Sequence, residues 1–140
     1  MMRLKNALPL LPAIFLLLLP AIAPSLANPL ASPPALTLTD QDNGKTIAVT
    51  SGKTLQITLP ENPTTGFTWA ILNQPAKHLQ LLESTYQADQ PQRMGSGGQR
   101  QFTFLAKQSG QFLLTLRYRR PWEPAAQFAQ EFTLTINVKK

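Results

Sequence analysis

The chain has no cysteine and a single histidine, His78, among its 140 residues. Without cysteine there are no disulfide staples, no thiol nucleophile, no thiolate metal site and no lipid-modified cysteine anchor. With one histidine, a hydroxyl such as that of Thr64 or Ser96 has one base within the chain and no group to orient it, so a catalytic residue is not expected. No cluster of His, Asp and Glu has metal-ligand spacing, so neither a metal nor another cofactor is expected. Sustained apolar spacing of three and four residues is also missing, which argues against a helical bundle. Basic residues are scattered apart from Arg117, Arg119 and Arg120, and no aromatic-rich basic face suggests nucleic acid.

The amino-terminal segment has its own composition. Arg3 and Lys5 precede the apolar stretch Ala13 to Leu19, and Ser25-Leu26-Ala27 has the small-x-small pattern of a signal-peptide cleavage site. A membrane span is the competing reading, but the stretch 7–23 is shorter than about 20 residues and is interrupted by Pro9, Pro12 and Pro20. The expectation is a signal peptide over 1–27, a loose Pro-rich leader over 28–35 and one domain over 36–140, exported to a periplasm or the exterior without a membrane anchor. Cleavage would take Arg3 and Lys5 away, lowering the formal net charge from +6 by two. The residues that remain suffice for one hydrophobic core, which must hold the domain together by burial alone. A monomer is expected.

Within that domain the apolar period is two. Leu55, Ile57 and Leu59 alternate with polar residues, as do Phe102 and Phe104, then Phe112, Leu114, Leu116 and Tyr118, then Phe132, Leu134, Ile136 and Val138. Such runs are half-buried strands. Weaker strand patterns cover 36–39, 46–49, 68–71 and 79–86, and one helical turn fits 75–78. Gly or Pro punctuates nearly every gap, as at Asp42-Asn43-Gly44 and Gln108-Ser109-Gly110. Seven to eight short strands joined by tight turns indicate an all-β antiparallel sandwich or barrel. Trp69 reads as a core aromatic, and His78 as a structural or solvated side chain.

Three connections stand out. Asn62-Pro63-Thr64-Thr65-Gly66-Phe67 combines a fixed φ at Pro63, stiff β-branched side chains at Thr64 and Thr65, and a glycine free to take positive φ. A loop this stiff loses little entropy on binding, although the same residues also make an ordinary turn. Met94 precedes a glycine run, Gly95-Ser96-Gly97-Gly98. Arg120-Pro121-Trp122 sets a tryptophan in a loop, where it either anchors a partner or folds back on the sheet edge.

In order, residue identity and strand separation, the segments at 62–67, 95–98 and 120–122 resemble the signature loops of the chagasin-like inhibitors of papain-family cysteine peptidases. The resemblance covers the chain from about Leu36 and implies an immunoglobulin-like sandwich. It further implies that Thr64 and Thr65 form the tip of a loop entering the peptidase cleft, shaped by Asn62, Pro63 and Gly66 and rooted by Phe67. Met94 with Gly95, Ser96, Gly97 and Gly98 would approach the enzyme as a second loop, and Arg120, Pro121 and Trp122 as a third. The implied activity is reversible inhibition by occlusion, with a peptidase as protein partner. A non-inhibitory immunoglobulin-like binding or adhesion module, using the Arg117 and Arg119 face, is the alternative. Glu123 beside Trp122 and Pro91 in a Gln-rich segment depart from the pattern and bear on target preference.

Overall fold

The computed structural model describes residues 34–73 and 75–140. The expected signal peptide at 1–27 and the leader up to residue 33 lie outside the described residues. Eight strands follow in order: β1 (Leu36–Thr39), β2 (Thr46–Thr50), β3 (Thr54–Glu61), β4 (Thr68–Asn73), β5 (Leu79–Ala88), β6 (Gly98–Ala106), β7 (Gly110–Arg119) and β8 (Gln130–Lys139). All eight expected strands are present. At 75–78 the chain makes one turn, in which the Pro75 carbonyl accepts the His78 and Leu79 N–H groups.

The strands form two four-stranded sheets, ordered β1-β3-β6-β5 and β2-β8-β7-β4. Their alternating residues supply the core between them. Leu55, Ile57 and Leu59 of β3 are fully buried, as are Phe104 of β6, Leu114 and Leu116 of β7, and Leu134 and Ile136 of β8. Each such side chain contributes about 1.5–3 kcal/mol by leaving water. A slip of one residue would turn an entire inward set toward solvent, so the burial pattern fixes the register. Leu55 thus pairs with Phe104 and Leu116 with Phe132.

One expectation needs correcting. The pairings of β3 with β6, β5 with β6, β4 with β7 and β7 with β8 are antiparallel, but β1 runs parallel to β3 and β2 parallel to β8. The reason lies in the short connections. After β1 a 3-10 turn at Asp40–Asp42, capped by the Thr39 hydroxyl, leads the chain to the other sheet, where Asn43 bonds Glu131 and Thr133 of β8. At Ser51 and Gly52 the chain returns, bonding the Lys139 carbonyl on one sheet and the Ala106 carbonyl on the other. β1, β2 and β3 therefore alternate between the sheets, and no hairpin imposes an antiparallel partner on β1 or β2.

The registers also place the loops. Glu61 opposite Gly98 and Thr68 opposite Arg119 bring the β3–β4, β5–β6 and β7–β8 connections to the same end of the sandwich. His78 sits beyond the other end of β5, its Nδ1 near the Gln108 carbonyl and its ring stacked on Phe112 at 5.4 Å.

Candidate functional site

Asn62 organises the loop cluster. The 3-10 turn Pro63–Thr65 begins with Asn62 as its cap: Asn62 Oδ1 accepts the Thr64 N–H at 3.2 Å and the Thr64 hydroxyl at 2.6 Å. The Asn62 carbonyl accepts the Thr65 hydroxyl at 2.6 Å and the Thr65 N–H at 3.2 Å. The turn closes at Gly66 with φ of 80°, a left-handed conformation in which a β-carbon is strained. Pro63, Thr64 and Thr65 are exposed, so a rigid polar tip projects from the sandwich.

The same asparagine ties this loop to the others. Its Nδ2 donates to the Gly95 carbonyl at 3.1 Å, and its backbone N–H donates to the Tyr118 hydroxyl at 2.9 Å. Within the second loop Ser96 Oγ accepts the Arg93 N–H and donates to the Arg93 carbonyl, while Gly95 takes a φ of 79°. Met94, between those fixed points, is fully exposed. Gly97 and Gly98 are also required by close packing within the protein. A β-carbon on Gly97 would lie 3.2 Å from the Glu61 carbonyl, and one on Gly98 would collide with the Gln87 carbonyl and the Tyr86 phenol. Gly98 is buried within β6, and its missing side chain admits the neighbouring strand β5.

Arg120 is likewise committed inside the cluster. Its Nε donates to the Thr65 carbonyl at 3.3 Å, its guanidinium lies 4.4 Å from the centre of the Phe67 ring, and Nη1 faces Glu123 at 3.5 Å. Through these contacts Arg120 braces the third loop against the first. The Glu123 charge is balanced by that contact. Beneath Arg120 a ladder of rings leads inward, Phe67 to Tyr118 at 5.3 Å and Tyr118 to buried Trp69 at 5.1 Å. Phe67 is only half-buried, so it roots the loop through Tyr118 and not by entering the core itself. Trp122 is 71% exposed, and its indole edge lies over Gly66, where a β-carbon would come within 2.5 Å of it. It therefore leans on the central loop and not on a sheet edge.

Sequence reasoning missed the ion pair under the cluster. The Glu61 side chain is 1% exposed; its carboxylate receives Arg100 Nη2 at 2.7 Å, Arg100 Nε at 3.2 Å, the Trp69 N–H at 3.0 Å and the Thr68 hydroxyl at 3.1 Å. These bonds join the last residue of β3 to β6 and to the start of β4. An open cleft lined by Glu61, Asn62, Gly98 and Tyr118 lies beside it. The signal was present in the alternation: Glu61 continues the inward series Leu55, Ile57, Leu59, and Arg100 precedes Phe102 and Phe104 on the inward side.

The Arg117 and Arg119 face, the surface of the alternative reading, is internally engaged. Arg117 pairs with Glu131 at 2.7 Å, lies over the Phe128 ring at 4.3 Å and reaches the Ala125 carbonyl, while Arg119 donates to the Glu123 carbonyl. Both arginines hold the β7–β8 connection against its own sheet.

Fold and site together define an immunoglobulin-like sandwich that carries, at one end, three connections locked to one another. The model of the chagasin family of peptidase inhibitors, I42, matches residues 48–136. Amoebiasin-1 of Entamoeba histolytica is 36% identical over 108 residues, covering 74% of this chain and all of the relative. Chagasin of Trypanosoma cruzi is 32% identical over 103 residues, covering 71% of this chain and 94% of that protein. Among solved structures, PbICP-C in complex with falcipain-2 superposes with a TM-score of 0.54 at 17% identity, over 74% of this chain and 89% of its own, a likeness of fold. The chain belongs to the chagasin family of peptidase inhibitors.

Proposed function

We propose that this protein is an exported, reversible inhibitor of papain-like cysteine peptidases that fills the active-site cleft with the three connections at one end of the sandwich. The mutual bracing of those connections, Asn62 to Gly95 and Arg120 to Thr65 with Trp122 on Gly66, is the observation that carries this reading. A ligand whose loops are already ordered loses little entropy on docking, and a peptide held by its own turn hydrogen bonds is a poor fit for the extended conformation that cleavage needs. Thr64 and Thr65 occupy the cleft, Met94 approaches one wall and Trp122 the other. An interface of about 800 Å² per partner accommodates such a wedge, with Trp122 as its energetic centre. Membership of a family of peptidase inhibitors supports the activity, and the composition of residues 1–27 supports export with cleavage after Ala27.

The test is titration of the protein lacking residues 1–27 against papain and a cathepsin L type enzyme. Stoichiometric inhibition that reverses on dilution is expected. Full peptidase activity at micromolar protein refutes the proposal, and slow cleavage at Thr64 or Thr65 refutes occlusion.

A further inference from the structure

The cluster contains one sulfur atom. The chain has three methionines and no cysteine, and two of the methionines are Met1 and Met2. Beyond residue 2, the thioether of Met94 is therefore the only sulfur in the protein. It is also fully exposed, on the connection between β5 and β6. The backbone on either side is fixed: Ser96 Oγ clamps both the N–H and the carbonyl of Arg93, and the Gly95 carbonyl accepts Asn62 Nδ2. An unbranched apolar side chain is thus presented to solvent from a braced loop, beside the tip formed by Thr64 and Thr65.

We propose that Met94 is an oxidation site that weakens the grip of the loop cluster on its target, an inference that rests on the inhibitory reading above. A peroxide transfers one oxygen to a lone pair of the thioether sulfur. The O–O bond breaks, a sulfur–oxygen bond forms, the sulfur is oxidised to a sulfoxide and hydrogen peroxide is reduced to water. The product is polar and chiral where the thioether was apolar and pliable, so a contact that buries it loses apolar transfer energy and must desolvate a strong acceptor. Met94 takes no part in the core, so its oxidation leaves the sandwich intact. With no other sulfur in residues 3–140, mild peroxide acts at one place, and a methionine sulfoxide reductase can reverse it.

The experiment uses protein lacking residues 1–27, treated with hydrogen peroxide, freed of oxidant, confirmed by mass to carry one added oxygen, and then titrated against papain. Oxidation is expected to raise the inhibition constant about tenfold at an unchanged melting temperature, and reductase treatment to restore it. Met94→Leu, whatever its starting inhibition constant, should show the same constant before and after peroxide treatment. An oxidised protein with an unaltered inhibition constant overturns the proposal, as does equal peroxide sensitivity in Met94→Leu. Failure of the untreated protein to inhibit papain is a different result: it removes the inhibitory reading, and the present inference with it.

Discussion

Replacing Glu61 with alanine tests whether the loop cluster depends on the ion pair beneath it. The carboxylate is almost fully buried and accepts from four donors, two nitrogens of Arg100, the Trp69 N–H and the Thr68 hydroxyl. Truncation leaves Arg100 without its counter-charge and Trp69 with an unmet donor. Breaking a buried pair from one side costs about 3–5 kcal/mol, and the low end applies here because the Arg100 side chain keeps 21% of its exposure and can recover some water. With a urea slope of about 1.5 kcal/mol/M, the unfolding midpoint should fall by about 2 M. Glu61→Gln keeps the shape and one acceptor but sets an NH₂ group against a guanidinium, and should lose about 2 kcal/mol, the worth of a charge-assisted bond. A double change, Glu61→Met with Arg100→Met, should recover much of the loss, because desolvation of two charges is removed along with their attraction. Equilibrium urea unfolding followed by tryptophan fluorescence reads all three. A fall below about 1 kcal/mol for Glu61→Ala would show that water replaces the carboxylate freely, and the pair would then not be what fixes the end of β3.

The other predictions concern the cluster and one surface cap. Gly66→Ala should lose about 1–2 kcal/mol, since it places a β-carbon at φ of 80° and against the Trp122 indole; a melt checks the stability and a shifted Trp122 emission checks the displacement. Trp122→Ala should weaken inhibition of papain by about 1–4 kcal/mol with little change in melting temperature, because the side chain is mostly exposed; an unchanged inhibition constant places the anchor elsewhere. The Thr39 N–H and then Lys45 hold the Asp42 carboxyl below its ordinary value of 3.8. A depressed folded value contributes stability that is present above 3.8 and lost as pH falls through the folded value, so Asp42→Asn should be less stable than the parent at neutral pH, by a margin that narrows toward pH 2. Urea midpoints at the two pH values decide it.

The strands were legible because burial imposes a period of two on residues such as Leu55, Ile57 and Leu59, and that period needs no knowledge of neighbours. The direction of β1 and β2 was not legible. Four or five residues at a sheet edge pattern alike whichever way they pair, and the deciding contacts, Asn43 to Glu131 and Thr133, span nearly ninety positions. Of the site, the stiffness of 62–67 could be read from Pro63 and Gly66, since it is a property of local dihedrals. What Arg120 and Gly98 do could not, because each acts through a residue from another strand or loop. The partners of Arg120, the Thr65 carbonyl and the Phe67 ring, lie more than fifty positions away in the chain. Glu61 was legible in principle: a carboxylate on the inward face of a core strand requires a buried cation, and Arg100 is the arginine on the inward face of β6.

The internal bonding of the cluster also constrains what it can offer a partner. Asn62 uses its N–H, its carbonyl and both side-chain polar atoms within the protein, the Ser96 hydroxyl is held by Arg93, and Arg120 turns its Nε to the Thr65 carbonyl. Polar groups spent on pre-organisation are not available for target recognition, and recruiting them would loosen the loops that make docking entropically cheap. The surface left for recognition is therefore weighted toward backbone at the tip and toward two exposed apolar side chains, Trp122 and Met94. Apolar contacts tolerate variation in the opposing surface far better than directional hydrogen bonds do. On the inhibitory reading proposed above, a rigid frame with soft contacts fits a wedge defined by the shape shared among related clefts, since rigidity would exclude clefts of another shape while Trp122 and Met94 would accept differing walls.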